Sequence, residues 1–209
     1  MKITLKTGIL SLLGILIVQI LSGFIWGFLS AFGHNADLIL IMGIFNIIYA
    51  FILILKFRKK GDKIFDLKKI NLIQIVIVIF IGIMLSLFSH YYTEFFNVTA
   101  KNQQTIEEMA KNSNIIALIL TLVISAPLIE ELVFRKILFN VTKNKVIGLI
   151  ISSLLFALLH DFSDPKSIFI YFVMGLTFGG VYYKTGSIEL SMLVHFVNNL
   201  IAAIGLLYK

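Results

Sequence analysis

The sequence has no cysteine, only two prolines and few charges. Without cysteine the chain cannot build a disulfide framework or use a thiol nucleophile, so a cysteine protease is excluded. Only 14% of its 209 residues are Asp, Glu, Lys or Arg, whereas 59% are hydrophobic. A water-facing surface cannot hide so much apolar side chain, so the composition excludes a soluble globular protein and predicts a polytopic membrane protein.

Long apolar runs supply the predicted membrane spans. Runs of roughly 18 or more apolar residues are typical of transmembrane helices, and we predict an all-α transmembrane helical bundle of about seven spans. They lie near residues 7–32, 36–55, 70–92, 115–140, 146–160, 167–183 and 187–208. No linker divides the chain, so we expect one membrane domain in which residues 1–113 form a scaffold and residues 114–209 form a catalytic core. A polar outer connection, residues 93–114, joins the two parts.

The net charge of +7 does not predict a nucleic-acid partner, because the Lys and Arg residues lie in short connections between spans. Alternate connections hold 14 of the 18 Lys and Arg residues. By the positive-inside rule, this distribution predicts a cell-membrane protein with a cytoplasmic N-terminus. Membrane lipid is therefore the expected surrounding.

The fourth apolar segment is interrupted by Pro127, Glu130, Glu131 and Arg135. Ionised side chains are costly inside a bilayer, so they mark candidate functional sites. The i, i+4 spacing of Glu131 and Arg135 predicts an ion pair, while Glu130 points about 100° away around the helix. Pro127 removes a backbone hydrogen bond and predicts a kink that opens a wet pocket beside Glu130. Alternatively, both acids reach the cytoplasmic interface near the end of this helix.

The next segment brings a histidine to the same depth. If residues 143–145 form a hairpin turn, counting outward at about 1.5 Å per residue places Glu130 and His160 within about 5 Å of each other in depth. Phe156 lies one turn before His160 on the same face, where it either walls the pocket or simply packs between helices. The polar residues that follow predict that this helix ends beside a water-filled cavity or inside the protein.

The last segment carries His195 and Asn199 at i, i+4 spacing. Together they could donate two hydrogen bonds to an oxyanion. Alternatively they join helices by polar contacts, a role for which the neighbouring Asn198 is the better candidate. One acid, two histidines and an amide suit peptide hydrolysis, in which Glu130 would take a proton from water and return it to the leaving amine.

A bound zinc is the open cofactor question. Glu130, His160 and His195 would leave a fourth position for water on a zinc ion. The sequence does not decide between a metal-bound and a metal-free water.

Three motifs in this order resemble those of the CAAX-protease and bacteriocin-processing family of intramembrane proteases, also called the Abi family. The motifs are two glutamates with an arginine four residues after the second, then Phe-x-x-x-His, then His-x-x-x-Asn. In this chain they are Glu130-Glu131 with Arg135, Phe156 to His160, and His195 to Asn199. The resemblance covers roughly residues 115–207.

This resemblance implies a role for each motif residue. Glu130 would activate the attacking water with help from His160, and His195 and Asn199 would stabilise the oxyanion. Three further residues would support the site: Glu131, Arg135 and Phe156.

The resemblance also implies an intramembrane endopeptidase that acts on a peptide or membrane-protein substrate. The short length and the use of lysine rather than arginine, of which there are only Arg58 and Arg135, indicate a bacterial cell-membrane protein. Its role would be bacteriocin or peptide processing, self-immunity, or CAAX-type protein maturation. One alternative is a non-catalytic bacteriocin immunity protein that binds the peptide or its receptor. A transporter with a proton relay is disfavoured because the polar groups are few and clustered.

Overall fold

The computed structural model describes residues 4–32, 37–61, 64–65, 70–111 and 113–207. This part of the chain is 86% helical and contains no strand, which confirms the predicted all-α class. Its helices are α1 Leu5–Ala31, α2 Leu38–Lys59, α3 Leu72–Phe95, α4 Lys101–Ala110, α5 Ile115–Val141, α6 Lys145–His160, α7 Pro165–Thr185 and α8 Ile188–Leu207.

Each of the seven predicted apolar segments overlaps one of the long helices. Five of them, α1, α2, α3, α5 and α8, are long and apolar enough to cross a membrane, and α6 is a shorter apolar helix. Two predicted span boundaries, Ala36 and Tyr208, lie outside the described residues. The first three residues, which bear on the predicted N-terminal orientation, also lie outside them. Helix α4 is a difference: it lies in the stretch predicted to be only a connection.

Polar side chains mark where the helices begin. Each of the following accepts a hydrogen bond from a backbone N–H in the first turn of its helix: Asp37, Asn71, Asn114, Asn144 and Asp164. Helix α7 also begins with Pro165 and ends before Gly186, whose φ of +66° suits glycine. These caps fix the short connections that bring α5, α6, α7 and α8 together.

Helix α5 is the most enclosed of the long apolar helices. Half of its most apolar window is buried, against 22%, 28% and 17% for α1, α2 and α3. The large side chains on α1–α3 are mostly exposed, as expected for helices that face lipid. The polar residues of α5 are therefore surrounded by protein.

The backbone of α5 changes pitch twice. Residues Ile119–Ser125 and Leu132–Ile137 form wide π-helical turns on either side of the α-helical Ala126–Glu131. In the first wide turn, the N–H of Ala126 bonds to the carbonyl of Thr121, five residues earlier. The next N–H in this pattern would come from residue 127, but that residue is a proline and has no N–H. The local break predicted at Pro127 is thus a widened turn, a feature frequent at functional sites.

Candidate active site

Glu130 lies between two histidines from different helices. Its Oε2 is 3.7 Å from Nε2 of His160 on α6 and 3.9 Å from Nε2 of His195 on α8. This oxygen is buried and has no hydrogen-bond partner among the described residues. Both distances exceed a direct hydrogen bond and suit a water molecule that bonds to both groups.

Each histidine is oriented through its other ring nitrogen. Nδ1 of His160 is 2.7 Å from the carbonyl of Phe156, and Nδ1 of His195 is 3.1 Å from Oε1 of Glu131. Both partners are acceptors, so we assign the ring proton to Nδ1 in each neutral imidazole. Each Nε2 then presents a lone pair to the space beside Glu130.

Glu131 is fully buried and accepts hydrogen bonds from three side chains. The donors are Nε of Arg135 at 3.1 Å, Oγ of Ser191 at 2.6 Å and Nδ1 of His195. The ion pair between Glu131 and Arg135 that the i, i+4 spacing predicts is present. Glu131 thereby holds the imidazole of His195 in place.

Arg135 is also fully buried, inside the helical bundle. Its Nη1 donates to Ser152 at 3.4 Å, and its guanidinium carbon lies 5.4 Å from the centre of the Phe156 ring, a cation–π contact. A Cβ on Gly179 would lie 3.6 Å from the Arg135 side chain. The alternative reading, in which both acids reach the cytoplasmic interface, is therefore not supported for Glu131, which is fully buried inside the bundle.

Aromatic rings hold the two imidazoles. Phe156 is 1% exposed, and its ring centre is 4.1 Å from that of His160. It therefore lies against the pocket, which is one of the two positions that the sequence analysis considered. Phe178 stacks on His195 at 4.2 Å, and Tyr171 lies 4.7 Å from His160. The sequence analysis missed Phe178, Tyr171 and Ser191, because nothing in their spacing distinguishes them from other residues of an apolar bundle.

Asn199 joins α8 to the wide turn of α5. Its Nδ2 donates to the carbonyl of Leu122 at 2.9 Å, and its Oδ1 accepts from Nδ2 of Asn198 at 3.2 Å. The expectation that Asn198 is the better candidate for an interhelical bond is thus wrong, because Asn199 forms that bond. An amide NH₂ has two donors, so one N–H of Asn199 remains for another acceptor. Asn199 also lines the cavity beside Glu130.

A cavity of about 290 Å³ opens beside Glu130. Part of its wall is α4, whose Lys101 N–H donates to Oδ2 of Asp161 at 2.9 Å. Burial alone would raise the pKa of Asp161, but hydrogen bonds from Ser163 and from the Lys101 backbone outweigh it and lower this pKa to about 2. Asp161 therefore stays ionised at neutral pH and holds α4 beside the cavity.

The three residues that could hold a zinc ion, Glu130, His160 and His195, lie slightly farther apart than the donors of a zinc site. Zinc needs donor atoms about 2.0–2.2 Å from one point. Neighbouring donors of such a site are closer together than Oε2 of Glu130 is to the Nε2 atoms of His160 and His195. Among the described residues, no group of three or more His, Cys, Asp or Glu side chains is arranged to hold a metal ion.

Comparison with known proteins finds a family to which this part of the chain is similar. Residues 112–201 match the family model described as type II CAAX prenyl endopeptidase Rce1-like. All the residues described above from Glu130 to Asn199 fall within that match. No solved structure matches the chain significantly.

Three curated bacterial proteins are similar to this chain. The chain is 41% identical over 85 residues to the membrane-embedded CAAX protease MroQ of Staphylococcus aureus, covering 36% of this chain and 34% of the relative. It is 28% identical over 128 residues to the putative membrane peptidase YdiL of Bacillus subtilis, covering 56% and 51%. It is 26% identical over 145 residues to the UPF0177 protein YaiH of Lactococcus lactis, covering 69% and 61%.

The chain thus spans between about a third and three fifths of the length of these relatives. The apolar helices and the bacterial relatives support a multi-pass protein of a bacterial membrane. The matched family model describes an endopeptidase. Residues 112–201 of this chain are thus similar to the Rce1-like CAAX endopeptidase family.

Proposed function

We propose that the chain is an intramembrane endopeptidase in which Glu130 and two histidines activate water. One observation carries this proposal. An unpaired carboxylate oxygen of Glu130 lies 3.7 Å and 3.9 Å from the Nε2 atoms of His160 and His195, beside a cavity. A single water within hydrogen-bond distance of these atoms would be held by an acid and an imidazole at once.

The attack on the peptide bond follows from this geometry. As the water oxygen adds to the scissile carbonyl carbon, Glu130 takes one of the water protons. The same carboxyl group then gives the proton to the leaving amine nitrogen as the carbon–nitrogen bond breaks. His160 fixes the position of the water, because its ring is held between Phe156 and Tyr171.

Two groups on α8 would stabilise the oxyanion. Asn199 retains one N–H beyond the bond to Leu122. His195 donates through Nδ1 to Glu131. If His195 takes up a second proton from solvent at Nε2 before the attack, Glu131 would stabilise the imidazolium and its Nε2–H would face the oxyanion, in the manner of an acid behind a catalytic histidine.

The division of the chain is part of the same proposal. Residues 114–209 would form the catalytic core, and residues 1–113 would form the scaffold that faces lipid and completes the cavity. The substrates we propose are membrane-associated peptides or proteins, in peptide processing, self-immunity or CAAX-type maturation. The relative MroQ is named a CAAX protease.

The test compares peptide termini in membranes and medium from cells that express the wild type or Glu130→Gln at equal abundance. We expect termini that are present with the wild type and absent with Glu130→Gln, because the amide cannot accept the water proton. Glu94→Gln is the matched control, since Glu94 is an exposed acid on α3, and it should behave as the wild type. Identical termini in all three strains would contradict proteolysis, and bacteriocin resistance that survives in Glu130→Gln would favour a binding protein.

A further inference from the structure

The part of the cavity wall that is formed by α1, α2 and α4 contains a buried amide, Asn46 of α2. Asn46 is 5% exposed, and its Oδ1 is buried without a hydrogen-bond partner among the described residues. It lines the same cavity as Glu130 and His160. A buried amide oxygen with no partner destabilises the folded chain, so its place in a cavity wall points to a ligand.

Helix α2 is held tightly against the wide turn of α5. Oγ1 of Thr121 donates to the carbonyl of Ile39 at 2.6 Å, and a Cβ on Gly43 would lie only 2.3 Å from the same Oγ1. Asn46 follows Gly43 by three residues, so it lies on nearly the same face of α2. The close approach of the two helices therefore fixes Asn46 beside the turn that leads to Glu130.

The chemistry of this wall suits a peptide backbone. An extended substrate brings N–H and C=O groups on both sides of the bond that is cut, and each needs a partner once water is excluded. An amide side chain offers both a donor and an acceptor without charge. The polar residues of this wall are neutral: Gln19, Asn46, Asn102, Gln103 and Thr105.

We infer that Asn46 is a substrate-positioning residue whose Oδ1 accepts a hydrogen bond from a backbone N–H of an uncharged, extended peptide segment bound beside Glu130. This inference rests on the proposed function, because it assigns the cavity to a peptide substrate. Asn46 acts through the placement of the peptide and takes no part in proton transfer.

The test measures peptide binding separately from cleavage. The probes are short fluorescent peptides of uncharged residues, each paired with analogues in which one backbone amide is replaced by an ester, which removes a single N–H donor. The full chain carrying Glu130→Gln, in detergent micelles, binds these peptides without cutting them. The dissociation constant is compared between this variant and the double variant Glu130→Gln, Asn46→Leu.

We expect one ester position to raise the Kd of the single variant about tenfold, which corresponds to about 1.4 kcal/mol. In the double variant the amide and ester peptides should bind equally, while thermal stability stays the same or rises because the unpaired amide is gone. An equal ester effect in both variants, or no ester effect at any position in the single variant, would overturn the inference.

Asn140→Leu provides a control for a purely structural amide, because Asn140 donates to the carbonyls of Arg135 and Lys136. It should lower thermal stability and preserve the ester effect. A fall in stability for Asn46→Leu with unchanged Kd values would show that Asn46 is structural as well. If the peptides bind as expected but the wild type does not cut them, the proposed proteolysis fails while the role of Asn46 in binding stands.

Discussion

Glu131 and Arg135 have no contact with solvent, and each depends on partners from other helices. Burying a carboxylate and a guanidinium costs several kcal/mol per ion, which is recovered only when their hydrogen bonds are completed. Ser191 and His195 on α8 supply two of the bonds to Glu131. Glu131 is therefore a positioning residue: it fixes the ring and the tautomer of His195, which faces Glu130.

Ser191→Ala removes one of these bonds, and we expect it to lower the free energy of unfolding by about 1–3 kcal/mol, because a buried acceptor loses its donor. Ser153→Ala is the matched control: Ser153 is equally buried, but its hydroxyl has no hydrogen-bond partner among the described residues. That change should be neutral or stabilising. The measurement is thermal unfolding of both purified variants in detergent, compared with the wild type. Equal effects of the two changes would contradict the role given to Ser191.

Local spacing in the sequence predicts some of these residues and not others. The pair Glu131 and Arg135 is readable because both lie on one helix at i, i+4. Ser191 lies 60 residues from Glu131, and its contact depends on how α8 is rotated against α5. Apolar patterning does not encode that rotation in a helix that is hydrophobic on most of its surface. Sequence analysis alone could not have singled out Ser191 or Phe178.

The wide turn of α5 explains why Asn199 bonds to a backbone carbonyl. The N–H of Ala126 bonds to Thr121, so the carbonyl of Leu122 would need the N–H of residue 127, which is a proline. Asn199 supplies the missing donor from α8. The kink residue and the amide motif, 72 residues apart in the sequence, thus form one structural unit.

We expect the cost of Asn199→Leu to depend on Pro127. In the native sequence the change leaves the Leu122 carbonyl without a donor and should lower the free energy of unfolding by about 1–3 kcal/mol. In a Pro127→Ala background the new N–H can bond to Leu122, so the same change should cost about 1 kcal/mol less. A double-mutant cycle of thermal unfolding measures this difference. If Asn199→Leu costs the same in both backgrounds, the two residues do not serve the same carbonyl.

The packing of α6 against the end of α5 depends on Gly148. A Cβ at this position would lie 2.2 Å from the carbonyl oxygen of Phe139, and a backbone atom cannot turn aside as a side chain does. Gly148→Ala should therefore push α6 away from α5 and lower the free energy of unfolding by about 1–3 kcal/mol. It should also reduce peptidase activity, because α6 carries His160.

Gly180→Ala is the control for Gly148, because a Cβ there meets nothing within 4 Å. Alanine favours a helix by roughly 0.5–1 kcal/mol over glycine, so this change should keep or raise stability. Thermal unfolding and cleavage assays on the two variants test whether α6 must pack closely against α5. A harmless Gly148→Ala would show that α6 and α5 can separate without loss.

The sequence predicts the long helices well because apolar length and capping residues are local signals. It does not predict α4 or the wide turns. Helix α4 is short and polar, and isolated helices of this length are marginal in water. Its contact with Asp161 shows that tertiary partners hold it in place. The pitch of α5 likewise depends on a donor from another helix.

The two halves of the chain share one cavity. Residues 112–201 match the family, yet α1, α2 and α4, which precede that match, contribute Gln19, Asn46 and Gln103 to the cavity wall. The part that the sequence predicts to be a scaffold therefore also lines the cavity, outside the family match.

The orientation of the whole molecule can be measured directly, because the chain has no cysteine of its own. Lys60 and Thr99 are exposed residues on either side of α3 along the chain. At about 1.5 Å per residue, the 24 residues of α3 extend about 36 Å, enough to cross a bilayer core of roughly 30 Å. If the N-terminus is cytoplasmic, a membrane-impermeant maleimide should label Thr99→Cys in intact cells and Lys60→Cys only after permeabilisation. The reverse pattern would place the N-terminus outside, and labelling of both in intact cells would mean that α3 does not cross the membrane.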